Sequence, residues 1–139
     1  MSERSNLQRA LFDAWNEQGM AALETEQFKQ FVRTQVHPEL EARVFGNPML
    51  PDTYRGRAGW ERVIREWNEI WEEMSYEVEE VLESEDTLVM VVRLRGRGSE
   101  SGVDVDSTWG WVLRYRDGQI ARWEIHRDPD RARAALTDA

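Results

Sequence analysis

The sequence contains no cysteine and only two histidines among its 139 residues. Without cysteine the chain can form neither disulfides nor thiolate metal sites, and this composition fits a reducing, cytoplasmic location. His37 and His126 are far apart and lack metal-ligand spacing, so we expect no metal. No glycine-rich phosphate loop follows a predicted strand, so we expect no cofactor. The first 25 residues contain no apolar run typical of a signal peptide or membrane span.

Basic residues are also scarce relative to acidic ones. The chain has 18 Lys and Arg against 27 Asp and Glu, a net charge of −9. This balance argues against nucleic acid or an anionic membrane as a partner, because both require clustered positive charge. The hydrophobic fraction of 40% and the seven tryptophans indicate a folded protein. The length fits a single domain, residues 1–139, with a core of about 5–136.

The order of the patterns predicts helices first and strands afterwards. Ser5 and Gln8 fit a capping box at the start of the first helix. A second helix must end near His37, because Pro38 follows. Residues 39–45 alternate as in a strand, and residues 46–56 carry the proline and glycine content of a loop.

The clearest helical pattern runs from residue 60 to residue 74. Polar residues, Asn68 among them, fill the side opposite an uninterrupted apolar face. Such a face must pack on a large apolar surface, most simply a sheet. The apolar residues are Trp60, Val63, Ile64, Trp67, Ile70, Trp71 and Met74.

Four further strands are predicted, at residues 76–84, 88–98, 103–116 and 119–127. Residues 128–136 can add a final helical turn. The whole pattern predicts an α+β protein, with helices on one face of a mostly antiparallel, twisted sheet.

Five segments stand out in order along the chain: AWNEQG, HPELEAR, YRGRAGW, RGRGSESGV and RYRDGQIARWEIHRD. Taken in this order, they resemble SnoaL-like proteins of the nuclear-transport-factor-2-like superfamily. The resemblance implies a cone-shaped fold, in which a curved, mostly antiparallel sheet wraps on about three helices from the N-terminal half, with an internal pocket. It also implies a homodimer formed through the outer sheet face. Members include polyketide cyclases, ketosteroid isomerases, epoxide hydrolases, dehydratases and binding or assembly domains, so the fold leaves function open.

The position of His126, between Glu124 and Asp128, raises the possibility of an acid/base row on one strand face. A two-residue turn at Asp117-Gly118 would direct Glu124 and His126 into the tryptophan-lined interior. A three-residue turn that also includes Arg116 keeps the inner face apolar on both strands. Because burying an unpaired charge costs several kcal/mol, we predict the three-residue turn. The outer, dimer-forming face then holds Val112, Arg114, Arg122, Glu124 and His126.

The predicted interior is mostly aromatic, as in many small-molecule sites. The polar candidates for reaching it are Glu41 and Arg43, which share a strand face, and the Tyr54 hydroxyl. These three are the candidate catalytic residues. The predicted pocket-lining residues are Phe45, Tyr54, Trp67, Trp71, Trp109, Trp111, Trp123 and Ile125.

The catalytic groups implied by the resemblance match this sequence poorly. Arg43 stands where ketosteroid isomerases have a base, and Trp111 stands where they have an acid. Ile125 stands where SnoaL-like cyclases have an aspartate. Of the Asp–Arg–Asp set of the epoxide hydrolases, only the arginine has a counterpart in this sequence, Arg43.

Three functions therefore stay open. The first is a pocket protein that binds or transforms a hydrophobic, possibly aromatic or polycyclic, small molecule. The second is a cofactor-independent enzyme of cyclase, isomerase or hydrolase type, with Glu41 as a relocated base and Tyr54 or Arg43 as its partner. The third is a homodimeric assembly domain without catalysis.

Overall fold

The computed structural model of the protein describes residues 2–45, 53–98 and 101–136. The helices of the N-terminal half come in two groups, before and after the first two strands. Helix α1, Glu3–Gln18, begins at Ser2, whose hydroxyl accepts a hydrogen bond from the Ser5 amide, and ends at Gly19. A short 3-10 helix, Gly19–Glu24, leads to α2, Glu26–Gln35. Helix α3, Gly56–Glu69, follows the first two strands. The predicted capping box is wrong, because Ser2, three residues before Ser5, is the residue that caps the helix.

Six strands form one sheet. They are β1 (Val36–Phe45), β2 (Thr53–Arg55), β3 (Trp71–Glu83), β4 (Thr87–Gly98), β5 (Asp104–Arg116) and β6 (Gln119–His126). Their order is β2-β1-β6-β5-β4-β3. Only the β1–β6 pair is parallel among these neighbours. The predicted α+β architecture is confirmed: a curved, mostly antiparallel sheet wraps on helices of the N-terminal half. Residues 46–52 of the predicted loop lie outside the described ranges, and Thr53–Arg55 form a strand instead.

The core lies between the helices and one face of the sheet. Helix α3 buries Trp60, Val63 and Trp67 there. Strand β1 contributes alternate residues, Leu40, Ala42 and Val44. We call this the inner face and the opposite one the outer face. None of the helices in the described ranges has the length and apolar character needed to cross a membrane.

The prediction that one helix runs to Met74 is wrong. Helix α3 ends at Glu69, and Trp71 begins β3, where it pairs with Gly98 of β4. Glu73 has a φ of 54°, and the register with β4 shifts around it, so the strand bulges at its start. Pairing with a neighbouring strand here overrides a helical period that continues in the sequence.

The connection from β5 to β6 also differs from the prediction. Asp117 and Gly118 form a two-residue turn in which both φ angles are positive, 55° and 77°. The extra residue sits inside β6, where the register shifts and Ala121 is passed over. Leu113 therefore pairs with Trp123. The predicted turn length is wrong. The bulge nevertheless adds the extra residue that the turn lacks, so Trp123 and Ile125 still lie on the inner face of the sheet.

A short C-terminal helix, α4 (Pro129–Ala134), covers part of the outer face. Its Ala132 packs on Val89 and Val112, all three fully buried. Gly110 lies directly beneath α4: a Cβ at this position would overlap the Ala132 side chain and come within 3.0 Å of the Pro129 Cα. The glycine thus permits the close approach of the helix to the sheet.

Candidate functional site

A small cavity lies between the three N-terminal-half helices and the inner face of the sheet. Its volume is about 60 Å³. Eight of its fifteen lining residues are aromatic, and none is acidic or basic. We call it the inner cavity. It is lined by Gln8, Leu11, Phe12, Trp15, Phe28, Trp60, Val63, Ile64, Trp67, Asn68, Tyr76, Trp111, Leu113, Trp123 and Ile125.

The aromatic side chains around the cavity pack against one another across elements. Trp111 of β5 meets Trp123 of β6 edge-on, with ring centroids 5.1 Å apart. Phe12 of α1 lies 5.0 Å from Trp111, and Trp60 of α3 lies 6.3 Å from Trp123. Tilted and edge-on contacts of this kind are the favoured arrangements of aromatic pairs. The wall therefore consists of rings fixed by their neighbours.

Three neutral residues give the cavity its polar character. The Tyr76 hydroxyl donates to the Asn68 Oδ1 at 2.6 Å, and the Asn68 Nδ2 donates to the Ile64 carbonyl at 2.8 Å. Burial raises the pKa of Tyr76 far above its usual range, so the phenol stays protonated at neutral pH. The third residue is Gln8, which is only 5% exposed. Its side-chain amide has no hydrogen-bond partner within the described part of the chain.

Two tryptophans of the wall carry unused donors. The indole Nε1 atoms of Trp67 and Trp123 are buried and have no hydrogen-bond acceptor among the described residues. The Trp67 indole lies close enough to the Tyr76 hydroxyl to lower its pKa slightly, but it falls short of hydrogen-bond geometry. A buried donor without an acceptor costs about 1–3 kcal/mol. Such groups are rare in folded proteins and call for an explanation.

A second, wider space adjoins the cavity at the end of α1. It has a volume of about 360 Å³ and a more polar wall. Trp15 and Asn68 line both spaces. We call it the outer cleft. The other residues that line it are Asn16, Gly19, Met20, Trp71, Glu73, Met74 and Ser75.

The structure brings half of the predicted pocket residues to the inner cavity: Trp67, Trp111, Trp123 and Ile125. Trp71 lines the outer cleft instead. Trp109 lies on the same sheet face as Trp111 but packs edge-on against Trp67 at 4.8 Å, and its Nε1 donates to Ser107. It is part of the core and does not line the cavity.

Phe45 and Tyr54 are also placed differently from the prediction. Phe45 is 40% exposed and stacks on His126 of the outer face, with centroids 4.7 Å apart. Tyr54 is buried, but its hydroxyl donates to Glu66 at 3.2 Å, away from the cavity. Burial, with the negative charge of Glu66, raises the Tyr54 pKa to about 12.

Glu41 and Arg43 form the ion pair that their spacing suggests, with Arg43 Nε 2.9 Å from Glu41 Oε1. Because Leu40, Ala42 and Val44 take the inner face of β1, this pair lies on the outer face. The expectation that Glu41 and Arg43 reach the pocket is therefore wrong. In the sequence, the alternation of apolar residues at 40, 42 and 44 indicates that residues 41 and 43 face away from the core.

The predicted dimer face is only partly available. Val112 is fully buried beneath α4, so this part of the prediction is wrong. Glu124 and His126 do lie outside the cavity, with His126 Nε2 3.1 Å from Glu124 Oε1. Arg122 Nε contacts the other Glu124 oxygen at 2.9 Å. The hydrogen bond from His126, assisted by Arg122, lowers the Glu124 pKa against the effect of its burial. Arg114, whose guanidinium donates to Thr87 at 3.3 Å, completes the face.

Residues missed by the sequence analysis provide the polar part of the cavity. Asn68 was assigned to the solvent face of a helix, and Gln8 to a cap. Both are buried, as is Tyr76. Neutral polar residues on an amphipathic helix resemble surface residues, so periodicity alone could not identify them. Among the described residues, no group of three or more His, Asp or Glu side chains is placed to hold a metal ion.

Comparison with known proteins identifies the family. The model of the SnoaL-like domain matches residues 8–123. The chain therefore belongs to the SnoaL-like domain family. No curated protein sequence matches the chain significantly.

Solved structures share the fold over nearly the whole chain. A protein from Jannaschia sp. CCS1, provisionally named a SnoaL-like polyketide cyclase, is 19% identical with a TM-score of 0.70, over 97% of this chain and 92% of that one. An NTF2-like protein of unknown function from Burkholderia pseudomallei is 18% identical with a TM-score of 0.71, over the full length of both chains. TerC, co-crystallised with polyporic acid, is 19% identical with a TM-score of 0.66, over 99% of this chain and 100% of that one. The likeness confirms the cone-shaped α+β fold.

Proposed function

We propose that the protein binds a small, hydrophobic, aromatic molecule in the inner cavity. The observation that carries this proposal is the wall itself: among the described residues it has eight aromatic side chains and no charged group, and some of its buried indole N–H groups have no acceptor there. Flat rings can pack against such a wall, and oxygen atoms of a ligand can accept the unused hydrogen bonds. A neutral ligand is favoured, because an ion would lose its hydration with no opposite charge to replace it.

The inner cavity alone is smaller than a typical ligand site. A volume of about 60 Å³ is far below the roughly 300–1,000 Å³ of typical ligand sites. The outer cleft adds about 360 Å³ at the shared wall of Trp15 and Asn68. We therefore propose that the ligand occupies both spaces.

The comparisons support a small organic molecule as the ligand. TerC was crystallised with polyporic acid, and the Jannaschia protein is provisionally named a polyketide cyclase. A cyclase-type reaction in this chain could not rely on Glu41 and Arg43 at the cavity, because both lie on the outer face. Tyr76, Asn68 and Gln8 would instead hold the ligand in one conformation through neutral hydrogen bonds.

A pair of matched probes tests the proposal. Chromone and naphthalene have the same two-ring size, but only chromone carries oxygen. Calorimetric titration should show binding of both, with chromone bound more tightly. Trp123→Phe removes one indole donor and keeps an aromatic ring. It should weaken chromone binding by about fivefold, equivalent to one hydrogen bond of about 1 kcal/mol. The affinity for naphthalene should stay unchanged.

Trp109→Phe is the matched control, because the Trp109 donor is already used by Ser107. It should leave the affinity for both probes as in the wild type. If neither probe binds the wild-type protein, the proposed function is wrong. If both variants weaken chromone equally, the Trp123 donor has no special role.

We also propose that a second copy of the chain packs on the remaining outer face, formed by Phe45, Arg114, Arg122, Glu124 and His126. Two observations support this. Phe45 exposes 40% of its surface next to His126, and alternating charges of Arg122 and Glu124 suit a self-complementary contact about a twofold axis.

A further inference from the structure

We infer that Trp15 is a movable partition between the inner cavity and the outer cleft, and that it sets the upper limit on ligand length. This inference rests on the proposed function, because it treats the two spaces as parts of one ligand site. The starting point is their common wall: of all the residues lining them, only Trp15 and Asn68 line both. These two side chains therefore face both spaces and stand between them.

Asn68 is held firmly in place. Its amide donates to the Ile64 carbonyl at 2.8 Å and accepts from the Tyr76 hydroxyl at 2.6 Å. Tyr76 is in turn tied to α1, because its backbone N–H and C=O bond the Asn16 side chain at 2.8 and 2.7 Å. Moving Asn68 would break hydrogen bonds in a buried place, where unmade bonds are costly.

Trp15 is held by packing alone. No hydrogen bond within the described ranges involves its indole N–H. The residue is 6% exposed and lies on the last turns of α1, close to where the helix ends at Gly19. Rotation of its side chain would cost contacts and no hydrogen bond. Of the two side chains in the common wall, Trp15 is therefore the one able to move.

The sizes of the two spaces show why movement matters. The inner cavity has a volume of about 60 Å³, whereas the outer cleft has about 360 Å³. With Trp15 in place, only a short ligand can adapt to the inner space. With Trp15 displaced, a longer ligand can place one ring inside and extend a second part into the cleft.

A pair of neutral probes that differ in length tests the partition. Flavone is chromone with one additional phenyl ring. In Trp15→Leu, the affinity for flavone should rise at least tenfold relative to that for chromone. Trp109→Leu is the matched control: Trp109 is equally buried, at 6%, but lines neither space, and its flavone-to-chromone ratio should stay as in the wild type. Trp15→Phe, a milder change, should shift the ratio in the same direction by a smaller factor.

A second measurement does not depend on either probe. Acrylamide quenches buried tryptophans only where it can reach them. Trp15→Leu should raise quenching of the remaining tryptophans above that of Trp109→Leu, because the inner wall opens to the cleft. If quenching rises but chromone does not bind, the partition holds and the proposed ligand function fails. If quenching and the probe ratio match those of Trp109→Leu, Trp15 is no partition.

Discussion

The three tyrosines of the chain each sit where the neutral phenol is favoured. Desolvation is the largest cause at all three positions. It raises the pKa of Tyr54 and of Tyr115 to about 12, although Arg4, placed 4.1 Å over the Tyr115 ring, acts in the opposite direction. Tyr76 is shifted further still. At the cavity, this keeps the Tyr76 hydroxyl a hydrogen-bond donor over the whole physiological range.

These shifts predict an unusual alkaline titration. Tyrosine in an unfolded chain ionises near pH ~10, so denatured protein should be more than half tyrosinate at about pH 10.5. The folded protein should show almost none. Because the folded pKa values are raised, the stability that they contribute is complete below about pH 10 and is lost as pH rises toward 12. Ultraviolet absorbance of tyrosinate, with and without denaturant, checks this. A phenol that titrates near pH ~10 in the native protein would contradict the burial described above.

Some residues of the site could be predicted from the sequence and others could not. Alternation along the last two long strands places Trp111, Trp123 and Ile125 on one face, and they lie there in the structure. A strand pattern constrains which side chains share a face more tightly than it constrains turn length, because a compensating bulge can restore the face. Gln8 and Asn68 had no such pattern, since only the packing of the whole domain shows that they are buried.

At the scale of elements, the junction between α3 and β3 shows the same limit. The apolar period of α3 continues through Trp71 and Met74, yet both belong to β3. The outcome depends on pairing with β4, in which the partner of Trp71 is Gly98, more than twenty residues further along the chain. This junction matters for the site, because it places Trp71, Glu73 and Met74 around the outer cleft. Local periodicity carries no information about such a distant partner.

The packing of α4 on the sheet leads to a prediction about Gly110. Gly110→Ala should destabilise the protein by about 1–3 kcal/mol, the usual cost of overpacking, because the new methyl group would overlap Ala132. Ala132→Gly removes the opposing methyl group, so Gly110→Ala should cost about 1 kcal/mol less in that background. Denaturant unfolding of the four proteins in this cycle gives both values. Equal costs in the two backgrounds would mean that the Ala132 methyl group is not the source of the strain.

At the scale of the whole molecule, the two sheet faces have different roles. The inner face carries the cavity. The outer face is covered by α4 over Val89 and Val112, while β1 and β6 leave ion pairs and an exposed aromatic ring on it. The proposed ligand site and the proposed dimer surface therefore lie on opposite faces of the sheet. A variant that disrupts one should leave the other intact.

This separation makes the proposed dimer testable. Phe45→Glu should shift the protein from dimer to monomer at micromolar concentration, because it places a charge where an aromatic ring would be covered by the partner. Val103→Glu is the control, since Val103 is the other large apolar residue that is exposed among the described ones, at 61%, and lies outside the proposed face. Light scattering over a dilution series measures the mass of each protein. Chromone affinity should be equal in all three proteins, because neither Phe45 nor Val103 is among the described residues that line the cavity. If the wild-type protein stays monomeric at all concentrations, the exposed Phe45–His126 stack is not a dimer contact. If Phe45→Glu is monomeric and has also lost its affinity for chromone, the cavity depends on the partner.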